Sequence, residues 1–129
     1  MAEGFPATTG DIFTAADYNG LVAFTIGAAN TTDYTAVIAD AYQVCELMNK
    51  ATAIAYKIPT NASVAFPIGT VLTILNIGAG TCTISAVTSG TTTILSAGAV
   101  PASPTLAQYR TAACIKTGTD AWYVVGAIA

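Results

Sequence analysis

At 129 residues and 13.0 kDa the chain has room for a single core, which excludes a second catalytic domain. Apolar residues make up 53% and charged residues 9%, against about 25% charged in an average soluble protein, so the composition excludes a charge-swollen disordered chain. Seven acidic residues against four basic ones give a net charge of -3, which leaves no cationic face for phosphates or anionic lipid and speaks against nucleic acid as a partner.

The opening MAEGFPATTGD carries an acid where a secretory leader would be basic and has no apolar run after it, so export by that route is not expected. Residues 1–30 read as an extended N-terminal arm, punctuated by Gly4, Pro6 and Gly10. Within it, Thr14-Ala15-Ala16-Asp17 has the form of a helix cap with an acid at the third position, predicting one short helix through about Leu21. The arm carries Phe5, Ile12, Phe13, Leu21, Val22 and Phe24, too much apolar surface to leave in water, and these six are the expected contacts with a partner surface. The longest apolar run, Leu21 to Ala29, is broken by Thr25 and Gly27 and falls far short of the ~18 residues of a membrane span, so no membrane association is expected.

From Thr31 onward, residues 31–129 read as one all-β domain, because β-branched and aromatic residues recur in short runs separated by Gly, Asn, Asp or Pro. The runs are Tyr34 to Ile38, Tyr42 to Met48, Ile54 to Ile58, Thr70 to Ile77, Thr81 to Val87, Thr91 to Leu95, Ala112 to Thr117 and Trp122 to Val125. Thr70 to Ile77 has large aliphatics on both faces, which suits a central strand covered on two sides, by the fold or by a neighbouring subunit. Thr81 to Val87 alternates cleanly, with Cys82, Ile84 and Ala86 on one face and Thr81, Thr83 and Ser85 on the other. Gly78-Ala79-Gly80 between them predicts a tight hairpin and antiparallel pairing. The expected architecture is a compact antiparallel β-sandwich or barrel-like domain, with Trp122, Phe66, Ile74, Ile84 and Ile115 in its core. Pro59, Pro67, Pro101 and Pro104 all fall between runs, and residues 96–104 read as a mobile surface loop. No fixed period of 20 to 50 residues marks a solenoid.

The chain has no histidine, which removes Ser-His-Asp and Cys-His catalysis and the commonest metal ligand. Its acids are scattered, and Asp33, Asp40 and Asp120 fall beside turns, where Asp serves local hydrogen bonding. Cys45, Cys82 and Cys114 lack C-x-x-C spacing and sit in apolar runs, as small buried hydrophobes do. Asn30-Thr31-Thr32 and Asn61-Ala62-Ser63 match the glycosylation sequon, which means little without secretion. No catalytic residue, metal or cofactor is expected. The six tyrosines and Trp122 raise a carbohydrate- or receptor-binding reading, against which core and interface packing is the plainer one.

Three segments carry a family resemblance: DYTAVIADAYQVCELMN, IPTNASVAFPIGTVLTILNIGAGTCTIS and LAQYRTAACIKTGTDAWYVVG. From Asp33 onward the chain resembles a β-domain of tailed-bacteriophage virion proteins, found in head decoration proteins, head fibres and tail-fibre modules. Ile58, Pro59, Asn61, Ser63, Phe66, Pro67 and Gly69 match its most specific block, and Trp122 with Gly126 its closing element. GDIFTAADYNGL is similar to a short element that opens phage appendage proteins. The chain departs from the family at Ala127, where an acid is usual, and in its Ala/Pro-rich loop at 96–104.

The resemblance implies a non-enzymatic structural protein of the virion. Small size, one arm and one β-domain suit a capsid decoration or cement protein, a homotrimer on the outer surface of the head that binds the major capsid protein and is assembled in the host cytoplasm. A tail-fibre or fibre-attachment protein is the alternative, and a lectin-like binding module the third. On this reading the six apolar residues of the arm dock the β-domain to the shell.

Overall fold

A computed structural model describes residues 23–129. Its strands are β1 Thr25–Asn30, β2 Tyr34–Thr35, β3 Val44–Met48, β4 Ile54–Ile58, β5 Val71–Asn76, β6 Cys82–Ala86, β7 Thr93–Ser96, β8 Thr105–Leu106, β9 Arg110–Gly118 and β10 Ala121–Gly126, with a 3-10 turn at Ile38–Ala41. The all-β class expected from the sequence is present. One sheet has six strands in the order β1-β3-β5-β9-β10-β7, and the other has four, β2-β4-β6-β8. Strand β1 lies inside the stretch read as arm: Thr25 and Ile26 pair with Val44 and Cys45, so the sheet begins before residue 31. The predicted helix through Leu21 lies outside the described residues.

The expectation of an antiparallel fold is corrected, because both sheets are mixed. Parallel pairing joins β1 to β3, β3 to β5, β2 to β4, β4 to β6 and β7 to β10. Antiparallel pairing is confined to β5 with β9, β9 with β10, and β6 with β8. From β1 to β6 successive strands alternate between the sheets, each lying parallel to the strand two places earlier. The chain therefore winds as a short coil before β9 closes the larger sheet. Register steps from Ile26 to Cys45 and from Cys45 to Thr73, and these unequal turns are why no repeat shows in the sequence.

The Gly78-Ala79-Gly80 link is accordingly a corner of the coil rather than a hairpin, since β5 and β6 belong to different sheets. It stacks on the corner below: Ile77 N–H donates to the Met48 carbonyl at 2.8 Å and Gly80 N–H to that of Lys50 at 2.9 Å. A Cβ on Gly80 would fall on the Thr52 carbonyl, and one on Gly78 on the backbone of Lys50. Close backbone approach therefore demands glycine here. The fully buried Asn76 fastens the same corner. Its amide donates to the carbonyls of Gly80 (2.9 Å) and Leu106 (2.8 Å), and its Oδ1 accepts from Gly78 N–H (3.1 Å).

Buried side chains from both sheets form one cluster, including Met48, Tyr56, Leu72, Ile74, Ile84, Leu106 and Trp122. Of the predicted core residues, Trp122, Phe66, Ile74 and Ile84 are buried. Ile115 is the exception. Along β9 the inward positions go to Ala112, Cys114 and Lys116, and strand alternation then turns Ile115 to the opposite face. Two other expected runs are shortened for local reasons. Gln43 holds a φ of 57°, so β3 starts after it, and Asp40 accepts the Val37 N–H at 3.0 Å, closing the 3-10 turn that ends β2. Loop 96–104 is exposed for most of its length, yet it is tied internally by Ser96 Oγ donating to the Pro101 carbonyl at 2.9 Å and by buried Pro104.

Candidate functional site

Alternation sends one set of side chains from the six-stranded sheet into the core and the other outward. The outward set is largely apolar, interspersed with Thr73, Thr93, Thr111 and Thr117. Val71, Ile115, Tyr123 and Leu95 stand side by side across β5, β9, β10 and β7, and the next row runs Cys45, Thr73, Ala113, Val125 across β3, β5, β9 and β10. Val71, Leu95, Tyr123 and Val125 are each 43–48% exposed. Of the charged residues on these strands, Glu46 and Lys116 occupy inward positions and are buried, and Arg110, paired with Asn76 at the first position of β9, is exposed at the end of the sheet. At one end of this face a cavity of about 290 Å³ opens among Leu95, Tyr123, Val125 and Ile128.

Lys116 is only 2% exposed. Its ammonium donates to Asn61 Oδ1 at 2.6 Å and to the Phe66 carbonyl at 2.7 Å, and lies 5.9 Å from the centre of the Trp122 ring. Phe66 meets Trp122 edge to face at 5.6 Å, while Asp120 Oδ1 accepts the Asn61 N–H at 2.8 Å. Burial pulls the Lys116 pKa below the usual lysine value, opposed by the Asp120 charge. A buried cation is tolerable only with such partners. The segment from Pro59 to Gly69 is thus fastened to β9 and β10 by Asn61 and Phe66.

A second polar group lies inside the coil near β1 and β2. Tyr34 Oη donates to Asp40 Oδ2 at 2.7 Å. Glu46 points inward beneath β1, where a Cβ on Gly27 would lie 2.7 Å from Glu46 Oε2, an oxygen that is buried without a hydrogen-bond partner. Burial, and then the Asp40 charge, push the Glu46 carboxyl pKa up, against hydrogen bonds from Tyr34 and Asn30. Burial and Asp40 likewise push the Tyr34 hydroxyl up. The Tyr56 hydroxyl is fully buried and also lacks a partner. This group can hold protons, but it is enclosed by the fold.

The expected contact residues Phe5, Ile12, Phe13, Leu21 and Val22 lie outside the described residues, and Phe24, 54% exposed, directly precedes β1. Asp40 accepts the nearby Val37 N–H, the turn-fixing role expected of it, whereas Asp33 and Asp120 accept the N–H groups of Ala55 and Asn61, distant in sequence, and tie separate segments together. The three cysteines are buried and free, and burial pushes the thiol of Cys82 to about 11 and that of Cys114 to about 12. Trp122 and Tyr56 are core residues, whereas Tyr109 and Tyr123 remain exposed. Among the described residues no helix is long and apolar enough to cross a membrane, and no group of three or more acidic or cysteine side chains could hold a metal ion. The sequence reading anticipated a second apolar face on Thr70 to Ile77, but not the strands that extend it on either side of β5. Comparisons of the chain with protein-family models, with curated proteins and with solved structures find no match.

Proposed function

We propose that the chain is a non-enzymatic structural protein of a tailed-bacteriophage virion, a capsid decoration protein that binds the outer surface of the head as a homotrimer and stabilises the shell. The observation that carries this reading is the largely apolar face of the six-stranded sheet, with Val71, Leu95, Tyr123 and Val125 each nearly half exposed. Such a face suits a protein that works packed against other proteins. The polar chemistry points the same way: Lys116, Asp120, Asn76 and Asp40 use their hydrogen bonds to fasten loops and corners. In this reading the two sheets sharing one core form a sandwich, and the residues before β1 reach the major capsid protein.

The test is co-sedimentation of the purified chain with phage heads and, separately, with tails. Binding to heads, with heads that then resist heating better, is the expected result. Binding to tails alone would move the protein to the fibre-attachment role. Tyr109, 76% exposed and held at a φ of 62°, favours a lectin-like module as the second reading, and glycan-dependent binding to host cells in place of head binding would establish it.

A further inference from the structure

We infer that Glu46 and the Gly27-Ala28 bulge of β1 form a proton-controlled latch: β1 lies against β3 while the Glu46 carboxyl keeps its proton, and lifts off β3 when the carboxyl loses it. The inference stands apart from the virion reading, because it concerns one edge of the larger sheet and needs no partner.

The register of β1 sets the geometry. Ile26 pairs with Cys45 and Ala29 with Leu47, so Gly27 and Ala28 together stand opposite Glu46 alone. Two residues facing one make a bulge, and it interrupts the pairing at the one position that covers the carboxyl. Gly27 makes that cover close, since a Cβ there would lie 2.7 Å from Glu46 Oε2. The oxygen is buried without a hydrogen-bond partner, on a residue only 7% exposed. A protonated carboxyl can stay in such a place at modest cost, whereas a carboxylate there has lost its water with nothing to replace it.

No neighbouring group offsets that charge. The groups acting on Glu46 are Asp40 from the 3-10 turn, Tyr34 from β2 and Asn30 from β1, and Tyr56 on β4 and Cys45 on its own strand feel its charge in turn. Asp40 repels a second negative charge. The donors are committed elsewhere, Tyr34 Oη to Asp40 at 2.7 Å and Asn30 Nδ2 to the Leu47 carbonyl at 3.0 Å. The four cations of the chain are also placed elsewhere: Lys57 faces Asp33 at 3.9 Å, Lys116 holds Asn61, Arg110 opens β9, and Lys50 lies in the corner after β3.

Of the elements around the carboxyl, β1 is the one free to move. It is the edge of its sheet, paired with β3 alone, and four of its six residues are exposed. Beyond the ladder it is tied at its ends, where Thr25 N–H donates to the Gln43 carbonyl and Asn49 N–H to that of Asn30, both at 2.8 Å. Strand β3, by contrast, is held from both sides. Water therefore reaches the carboxylate at least cost by lifting the bulge. The docked state holds the proton more tightly than the open one, in which Glu46 meets water. Docking is thus complete below the ordinary glutamate pKa, and opening grows by up to about tenfold per pH unit above it until the pH passes the raised docked value.

The test is backbone hydrogen exchange of the full chain, followed by NMR from about pH 4 to about pH 8 and expressed as protection relative to an unstructured chain. Protection of the Thr25–Asn30 amides should fall by up to about tenfold per pH unit until the Glu46 carboxyl, followed by its own carbon resonance, is ionised, while the amides of β5 keep theirs. In Glu46→Gln, which has no proton to lose, β1 protection should stay level across the range. Should that variant fail to fold, the comparison of β1 with β5 in the unaltered chain still decides the matter. Level β1 protection in the unaltered chain would overturn the inference. So would an equal loss in β1 and β5, which would load the charge on the whole fold, or a loss in Glu46→Gln that matches the unaltered chain.

Discussion

The Lys116 site makes a quantitative prediction about what holds the Pro59 to Gly69 segment. Replacing Asn61 with Ala removes the 2.6 Å bond to a buried ammonium and leaves that donor short of an acceptor. A hydrogen bond to a charged group contributes about 1.5–3 kcal/mol, and a buried charge that loses a partner sits at the upper end of that range. Asn61→Ala should therefore destabilise the fold by about 2–3 kcal/mol. Lys116→Met removes the charge itself while retaining much of the packing against Trp122, and in that background the Asn61→Ala step should cost only about 0.5–1 kcal/mol, the value of an ordinary partly buried contact. The coupling between the two positions should thus be about 1–2.5 kcal/mol. Urea unfolding followed by the fluorescence of the single tryptophan, which lies beside Lys116, reads all four proteins. Equal costs of Asn61→Ala with and without Lys116 would refute the argument, because the amide would then be acting through its loop alone.

Trp122→Ala should cost about 3–5 kcal/mol, the range for truncating a buried large aromatic, and a loss below about 1 kcal/mol in the same urea experiment would contradict its 2% exposure. Gly80→Ala should destabilise by more than about 1–3 kcal/mol, because the new methyl meets the Thr52 backbone rather than a side chain that can turn aside; an unchanged melting temperature would refute the stacked corner. Glu46 holds its proton more tightly in the folded chain than in the unfolded one, so its contribution to stability is complete below the ordinary glutamate pKa and is lost as the pH rises through the raised folded value. Glu46→Gln should therefore match the native chain in acid and melt higher at neutral pH, and parallel melting curves at all pH values would contradict the buried carboxyl. Cys82→Ala and Cys114→Ala should each fold and assemble with a packing loss of about 0.5–1.5 kcal/mol, and loss of assembly in either would show that a thiol does more than fill space.

Strand positions were legible because alternation and β-branching are local: Ile54–Ile58 is found as predicted, and Cys82, Ile84, Thr83 and Ser85 take the predicted faces. Pairing was not legible. The same alternation serves parallel and antiparallel neighbours, and a short Gly-Ala-Gly link looks like a hairpin until the backbone of Lys50 to Thr52 is seen to press on it. Ile115 was expected in the core, but Lys116 takes the inward place beside it. That choice depends on Asn61 and the Phe66 carbonyl, about fifty residues away in sequence. The Glu46 and Asp40 group was likewise invisible, since only the coil brings Tyr34, Asp40 and Glu46 together. The outward face was legible on Val71 to Ile77, but its breadth emerges only when β9 and β10 are set beside β5.

The proposed role is tested most directly by imaging phage particles that carry this chain with a compact label, in negative stain. The decoration reading predicts label distributed over the outer surface of the head at many equivalent sites and none along the tail. Label confined to the tail or to fibres, or particles that carry none while the chain remains free in the lysate, would contradict it.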